Sequence, residues 1–276
     1  MRATATLLFT FAFVPQALAD AQTECSKWQT TPPARSIIVC TQLLQRQPGL
    51  DWAVLNRGWA HYKLRHFDEA IADFTRVLDI TPKLTKAYFN RARAYVEKGD
   101  NLRAVADYTR ILDLDPLSDF ALSVRGWVLT KLGHWADARR DAERALAIKP
   151  SNPYAHYVRG LVAQEEGRTE QALEDFTRSV ALGFVQPMAH IMRAEAYRAR
   201  GDAALAIECY RATLGAESRG RDDDAAQKLA SERLQEMLVE QQSPPVASPF
   251  APGDTGDGYS KSPRVDVFGV ILVPLQ

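Results

Sequence analysis

The chain has 276 residues, and its 34 Lys+Arg are balanced by 34 Asp+Glu. That balance argues against DNA, RNA or an anionic membrane as the main ligand, because no net charge is available to hold a polyanion. With 25% charged and 46% hydrophobic residues it has the composition of an ordinary globular protein.

The N-terminus reads as a secretory signal, residues 1–19. Arg2 supplies a positive start, Ala3 to Val14 is an apolar run too short to span a bilayer, and Ala17-Leu18-Ala19 is an A-x-A cleavage site. Cleavage would leave a chain starting at Asp20. Losing Arg2 takes the basic residues from 34 to 33 against 34 acids, a net charge of −1. No later segment has 18 consecutive apolar residues, so no membrane span is expected. Gln22, Thr23 and Glu24 are not the small, apolar residues that a lipidation site at Cys25 would need. An exported location, the bacterial periplasm or the exterior, is therefore expected. In such a compartment Cys25 and Cys40, 15 residues apart, are expected to pair as a disulfide rather than remain as two thiols. Cys209 is left over inside a predicted helix. It reads as a small half-buried residue, with a redox or intermolecular role as the alternative.

Residues 20–50 read as a partial repeat. Arg35 to Gln45 fits a second helix, whereas Cys25 to Thr31 is too short and polar for a proper first one. From residue 51 a 34-residue period sets in. Arginine recurs at 57, 91, 125, 159 and 193, a small residue follows each, and alanine recurs at 70, 104, 138, 172 and 206. A period of this length means stacked copies of one supersecondary unit. The units run 51–84, 85–118, 119–152, 153–186 and 187–220. In the second, Tyr88, Ala92 and Tyr95 form the inner stripe of one helix, and Ala104, Tyr108 and Ile111 that of the next. Gly99-Asp100 separates the two helices, and Asp115-Pro116 closes the unit. Small residues at the crossing let the backbones approach.

Gly215 to Asp224 reads as a charged loop. A capping helix follows within 221–242, with Leu229, Leu234 and Leu238 as its apolar residues and a polar outer face, as the end of a stack requires. Residues 243–276 are expected to be a disordered tail. Ser243 to Gly258 holds four prolines and three glycines in sixteen residues and cannot bury enough apolar surface to offset chain entropy. The final Arg264–Gln276 run is apolar and β-branched. It reads as docking on the body or disordered, or alternatively as a motif for a partner's sheet edge.

The repeated small residues, the second-helix alanine and the closing prolines at 82, 116 and 150 resemble the tetratricopeptide repeat family. The resemblance spans 51–220 and implies an all-α, right-handed solenoid of antiparallel helix pairs. Two departures stand out: Phe184 replaces a closing proline, and His61 an aromatic. The resemblance also implies a non-catalytic module that binds protein or peptide partners on a concave surface lined by positions 2, 5, 9 and 12 of each unit. Carried over, the groove residues are Trp52, Leu55, Trp59, Tyr62, Phe89, Arg93, Phe120, Trp127, Tyr154 and Tyr157. Aromatic anchors of this kind make hot spots, although several could simply pack against neighbouring units. The family's carboxylate clamp is not matched, because it wants Lys and Asn where Leu55 and Trp59 stand.

Four of the arginines, Arg57, Arg91, Arg125 and Arg159, have an acid in the second helix of their unit, at Asp73, Asp107, Asp141 and Asp175. A basic track for an acidic ligand is one reading. Matching acids favour a structural ion-pair ladder. Cys209 takes the acid's place in the fifth unit. His156 and His190 occupy equivalent places in adjacent units, roughly 10 Å apart by helix-packing geometry, too far to share one ion. No metal, cofactor, nucleic-acid or catalytic motif is found. Self-association through repeat edges or the apolar tail is the rival to partner binding.

Overall fold

The computed structural model describes residues 10–184, 187–215 and 221–242. The tail 243–276, the first nine residues and most of the loop after Gly215 lie outside the described residues. The chain divides into units Met1–Met237 and Leu238–Gln276, the second contributing only the end of the last helix to the described part.

Thirteen helices and no strand are found among the described residues. They are α1 (Thr10–Ser26), α2 (Pro33–Arg46), α3 (Asp51–Lys63), α4 (Phe67–Ile80), α5 (Thr85–Glu97), α6 (Asn101–Leu114), α7 (Asp119–Lys131), α8 (Trp135–Ile148), α9 (Pro153–Glu165), α10 (Thr169–Ala181), α11 (Pro187–Arg200), α12 (Ala203–Leu214) and α13 (Arg221–Gln242). From α1 to α12 consecutive helices pack on one another, building a right-handed solenoid of antiparallel pairs. First helices of neighbouring units also touch, α1 on α3, α3 on α5, α7 on α9 and α9 on α11. No two second helices pack on each other to that extent. The row α3, α5, α7, α9 and α11 is therefore the inner, concave side.

Local chemistry sets the turns. Within each unit the link between its two helices passes through the left-handed region, at Gly99, Gly133, Gly167 and Gly201 with φ of 71° to 92°. Unit one has Arg65 there at φ 63°, a conformation that L side chains adopt at a cost of about 1–2 kcal/mol. Asp100, Ser118 and Asn152 cap α6, α7 and α9 by accepting from the backbone N–H three residues on. Small residues sit where helices cross. A Cβ on Gly58 would lie 2.8 Å from the Phe74 ring, and one on Gly160 2.7 Å from Phe176.

Both ends depart from the sequence reading. The segment before Cys25 is helical: α1 runs through residues 10–26 and packs on α2 and α3. Cys25 to Thr31 forms no first helix, as its length and polarity imply: α1 ends at Ser26 and a turn follows, the helix being built from residues before it, of which 10–19 belong to the expected signal. Leu18, Ala21 and Cys25, at i, i+3 and i+7, form the face turned to the core. Cys25 and Cys40 form a disulfide with Cα atoms 5.1 Å apart. Around it, Arg35 donates to both Glu24 carboxylate oxygens at 2.6 and 3.0 Å, and Asn56 Nδ2 donates to the Cys25 carbonyl at 3.0 Å. At the other end, Arg221 to Asp224 belong to α13 rather than to a loop. The buried face of α13 is Ala226, Ala230 and Met237, and its three leucines are only half-buried. The two alanines permit closer approach than leucines would. Salt bridges from Arg233 to Glu195 at 3.3 Å and from Arg198 to Glu236 at 3.9 Å tie α13 to α11.

Candidate functional site

Four arginines of the 34-residue series make two-pronged pairs with the acid 16 residues on. Nε and Nη2 donate to the two carboxylate oxygens at 2.9 and 2.6 Å for Arg57–Asp73 and at 2.9 and 2.7 Å for Arg91–Asp107. For Arg125–Asp141 both distances are 2.7 Å, and for Arg159–Asp175 both are 2.8 Å. These are charge-assisted fork contacts between the two helices of one unit. The acids are buried and the arginines half-buried. Hydrogen bonding to the carboxylate raises each arginine's pKa further, against the opposing effect of burial. The remaining nitrogen reaches back to the preceding unit: Nη1 of Arg57, Arg91 and Arg125 donates to Thr41, Thr75 and Thr109 at 3.3, 3.0 and 3.1 Å. A ligand would find few free donors on such a ladder.

The fourth and fifth units differ. His156 lies against Asp175 through Nδ1 at 2.9 Å and against the Pro150 carbonyl through Nε2 at 3.0 Å. Cys209 is a buried free thiol where the acid would stand, and the Nε of Arg193 is buried without a hydrogen-bond partner.

The first-helix residues form two runs of ring contacts along the concave side, bridged by Arg93. Trp59 stacks on Tyr62, with centroids 5.3 Å apart and planes 13° from parallel. The Arg93 guanidinium lies over Tyr62, Trp59 and Phe89 at 5.0, 5.4 and 5.9 Å. Phe89 meets Phe120 at 5.4 Å, Phe120 meets Tyr154 at 5.7 Å, and Tyr154 meets Phe184 at 4.5 Å. The separations are those of attractive edge, tilted and stacked ring pairs. Phe120 is 44% exposed, while Trp52, Trp59, Tyr62, Phe89, Arg93, Trp127 and Tyr154 are half-buried, so each offers part of its surface to a ligand. The Lys131 ammonium stands 4.0 Å from the Trp127 ring centroid.

Two expected groove residues are not on that surface. Leu55 is 7% exposed and packs in the core of the first units, and Tyr157 is 5% exposed. Position 5 is buried in units one, three, four and five alike, where Leu55, Ser123, Tyr157 and Ile191 stand. Burial pushes the Tyr157 hydroxyl well above its usual pKa.

Two residues join the run without having been expected there. Trp28, in the turn after α1, meets Trp59 edge-on at 5.8 Å and carries Lys86 at 5.2 Å. Phe184, buried, closes the far end on Tyr154 and on Tyr157 at 5.0 Å. The signal for Phe184 lay in its departure from the closing proline; nothing in the repeat pattern pointed to Trp28.

Among the described residues no group of three or more His, Cys, Asp or Glu is placed to hold a metal ion, and no helix is long and apolar enough to cross a membrane. Among curated proteins, none matches this chain. Solved structures do. A tetratricopeptide repeat protein from Parabacteroides merdae superposes with a TM-score of 0.66 at 16% identity, over 82% of this chain and 90% of that one. A thermophilic TPR protein of Thermus thermophilus gives 0.56 at 20% identity, over 68% and 99%. A chain of the APC/C hetero-tetramer Cut9-Hcn1 gives 0.64 at 15% identity, over 85% and 46%. At these identities the likeness is one of fold. The family model for the tetratricopeptide repeat matches residues 55–119, 123–184 and 157–225. That covers more than half of the sequence, so the chain belongs to the tetratricopeptide repeat family, whose repeats typically mediate protein–protein interaction.

Proposed function

We propose that this protein is a non-catalytic binding module that holds a segment of a partner protein against the concave face of its solenoid. The observation that carries the reading is the run of half-buried aromatic side chains from Trp59 to Tyr154 on the first helices, joined between Tyr62 and Phe89 by the Arg93 guanidinium. Rigid aromatics bury large area at low entropy cost, so they concentrate binding energy. Most donors of the ladder are spent in holding the helices, which leaves recognition to this face. The Cys25–Cys40 disulfide and the residue 1–19 pattern support work in an exported, oxidising compartment. A partner pull-down from the native source tests the reading, comparing the wild type with Trp59→Ala plus Trp127→Ala. Loss of a specific partner with unchanged helicity is expected; equal recovery would overturn it.

One observation favours a second reading, self-association. Ile80, Leu114 and Ile148 are exposed at matching ends of α4, α6 and α8, and Leu117 is exposed in the turn that follows α6. Sedimentation over a range of concentrations discriminates. A concentration-dependent oligomer that Leu114→Lys dissolves would assign that edge to copies of this chain.

A further inference from the structure

The concave face is not electrically neutral, although the chain as a whole is. Of the sixteen groove positions in units one to four, two hold charged residues, Lys86 and Arg93, and both are cationic. Neither forms an ion pair with a carboxylate among the described residues, in contrast to the four laddered arginines. Instead each rests on rings: Arg93 on Trp59, Tyr62 and Phe89, and Lys86 on Trp28. Ring faces attract a cation without neutralising its charge, and Arg93 spends a hydrogen bond on the Tyr62 hydroxyl rather than on a carboxylate, which leaves the rest of its fork for a ligand. They also fix the planar guanidinium, so its fork is oriented before a ligand arrives. The nearest acid of the same helix is Glu97, and it is occupied by the Tyr62 hydroxyl at 3.4 Å and by Arg65 at 3.6 Å.

From this charge pattern we infer the chemistry of the occupant, and the inference rests on the groove reading above. The face selects an acidic, apolar segment of a protein partner. Its carboxylates bind Arg93 and Lys86, and its apolar side chains lie on the run from Phe89 to Tyr154. Arg93 makes two-pronged contact with one carboxylate, while Lys86 acts as a point charge for a second.

The test is fluorescence anisotropy of the full chain with three labelled octapeptides. One is Asp-Leu-Asp-Phe-Asp-Leu-Asp-Phe; the others carry Asn or Lys in place of every Asp. The Asp peptide is expected to bind about tenfold more tightly than the Asn peptide, which equals about 1.4 kcal/mol, and the Lys peptide most weakly. Arg93→Gln plus Lys86→Gln should bring the Asp and Asn peptides to within about twofold of each other, as should raising the salt to about 1 M, where the Debye length is near 3 Å. The single Lys86→Gln variant alters an exposed side chain and serves if the double variant misfolds; it should lose part of the preference. Equal binding of the Asp and Asn peptides by the wild type would overturn the charge selection while leaving an apolar groove in place. Failure of all three peptides to bind would overturn both. A synthetic peptide of residues 262–276 that displaces the Asp peptide more strongly than unlabelled Asp peptide does would make the chain's own end the occupant and sink the partner assignment.

Discussion

Replacing Asp107 by Asn removes the charge from the middle of the ladder while keeping the shape. The Arg91–Asp107 pair has side-chain exposures of 18% and 6%. Breaking a fully buried pair from one side costs about 3–5 kcal/mol, because the remaining charge is left uncompensated. Two features lower that figure. The guanidinium keeps some access to water, and its Nη1 still donates to Thr75 at 3.0 Å. About half the cost, roughly 2 kcal/mol, is what the geometry supports after that discount. A protein of this size loses roughly 2–4 °C per kcal/mol, so the thermal midpoint should fall by about 4–8 °C. The comparison variant is Arg110→Gln, which breaks an exposed pair with Asp113 and should shift the midpoint by less than about 2 °C. Circular dichroism melts of both variants decide the matter, with the Asp-peptide affinity of Asp107→Asn staying at the wild-type value. A midpoint for Asp107→Asn indistinguishable from the Arg110 control would refute the structural reading of the ladder.

Three further outcomes follow from the geometry. Cys40→Ser should cost about 3 kcal/mol, the chain-entropy value for a loop of this length, and should expose Trp28 to quenchers as α1 loosens. Gly160→Ala should be destabilising by about 1–3 kcal/mol in urea titrations, since its Cβ would press on Phe176 at 2.7 Å. Gly126→Ala, where the nearest atom is a Val158 methyl at 3.2 Å, should cost clearly less. Finally, burial holds the pKa of His61 and His190 below the usual histidine value, and each has a buried Nδ1 without a partner. Because the unfolded chain takes up these protons first, stability should be full above about pH 6.5 and fall as the pH drops below it. His61→Gln plus His190→Gln should flatten that fall, and an unaltered profile in pH-dependent melts would refute the assignment.

The period made the helix pairs legible, because each unit repeats both its apolar stripes and its turn chemistry in one register. The same period told which arginines had acids within reach, since the two series share a spacing on facing helices. What it could not supply was depth. Leu55 and Trp59 both belong to the inner-helix positions, yet one is buried and the other half-exposed. Non-periodic residues were harder still. Trp28 belongs to no unit, and its place on Trp59 depends on α1 being held by a disulfide and an ion pair from outside the repeat. At the far end, α13 presents alanines rather than leucines to its neighbours. A hydrophobicity pattern ranks the leucines higher, whereas the side of α13 that is buried carries the alanines.

The backward reach of the ladder gives the molecule a direction. Arg57, Arg91 and Arg125 each clasp a threonine of the unit before, so three successive junctions are latched in the same sense. Arg159 has no such hydrogen bond: Glu143 stands in the threonine's place and attracts it through space, while its fork contacts stay within its own unit. Arg193 lacks even the within-unit carboxylate. In a stack whose stability is a sum of unit and nearest-neighbour terms, a graded series of junctions unzips from its weakest end. Native-state hydrogen exchange should therefore show α11 and α12 opening first and α3 to α8 opening together at higher free energy. The tightest units are then those that carry Arg93 and its rings, so partner capture would take place on the part of the chain that opens last.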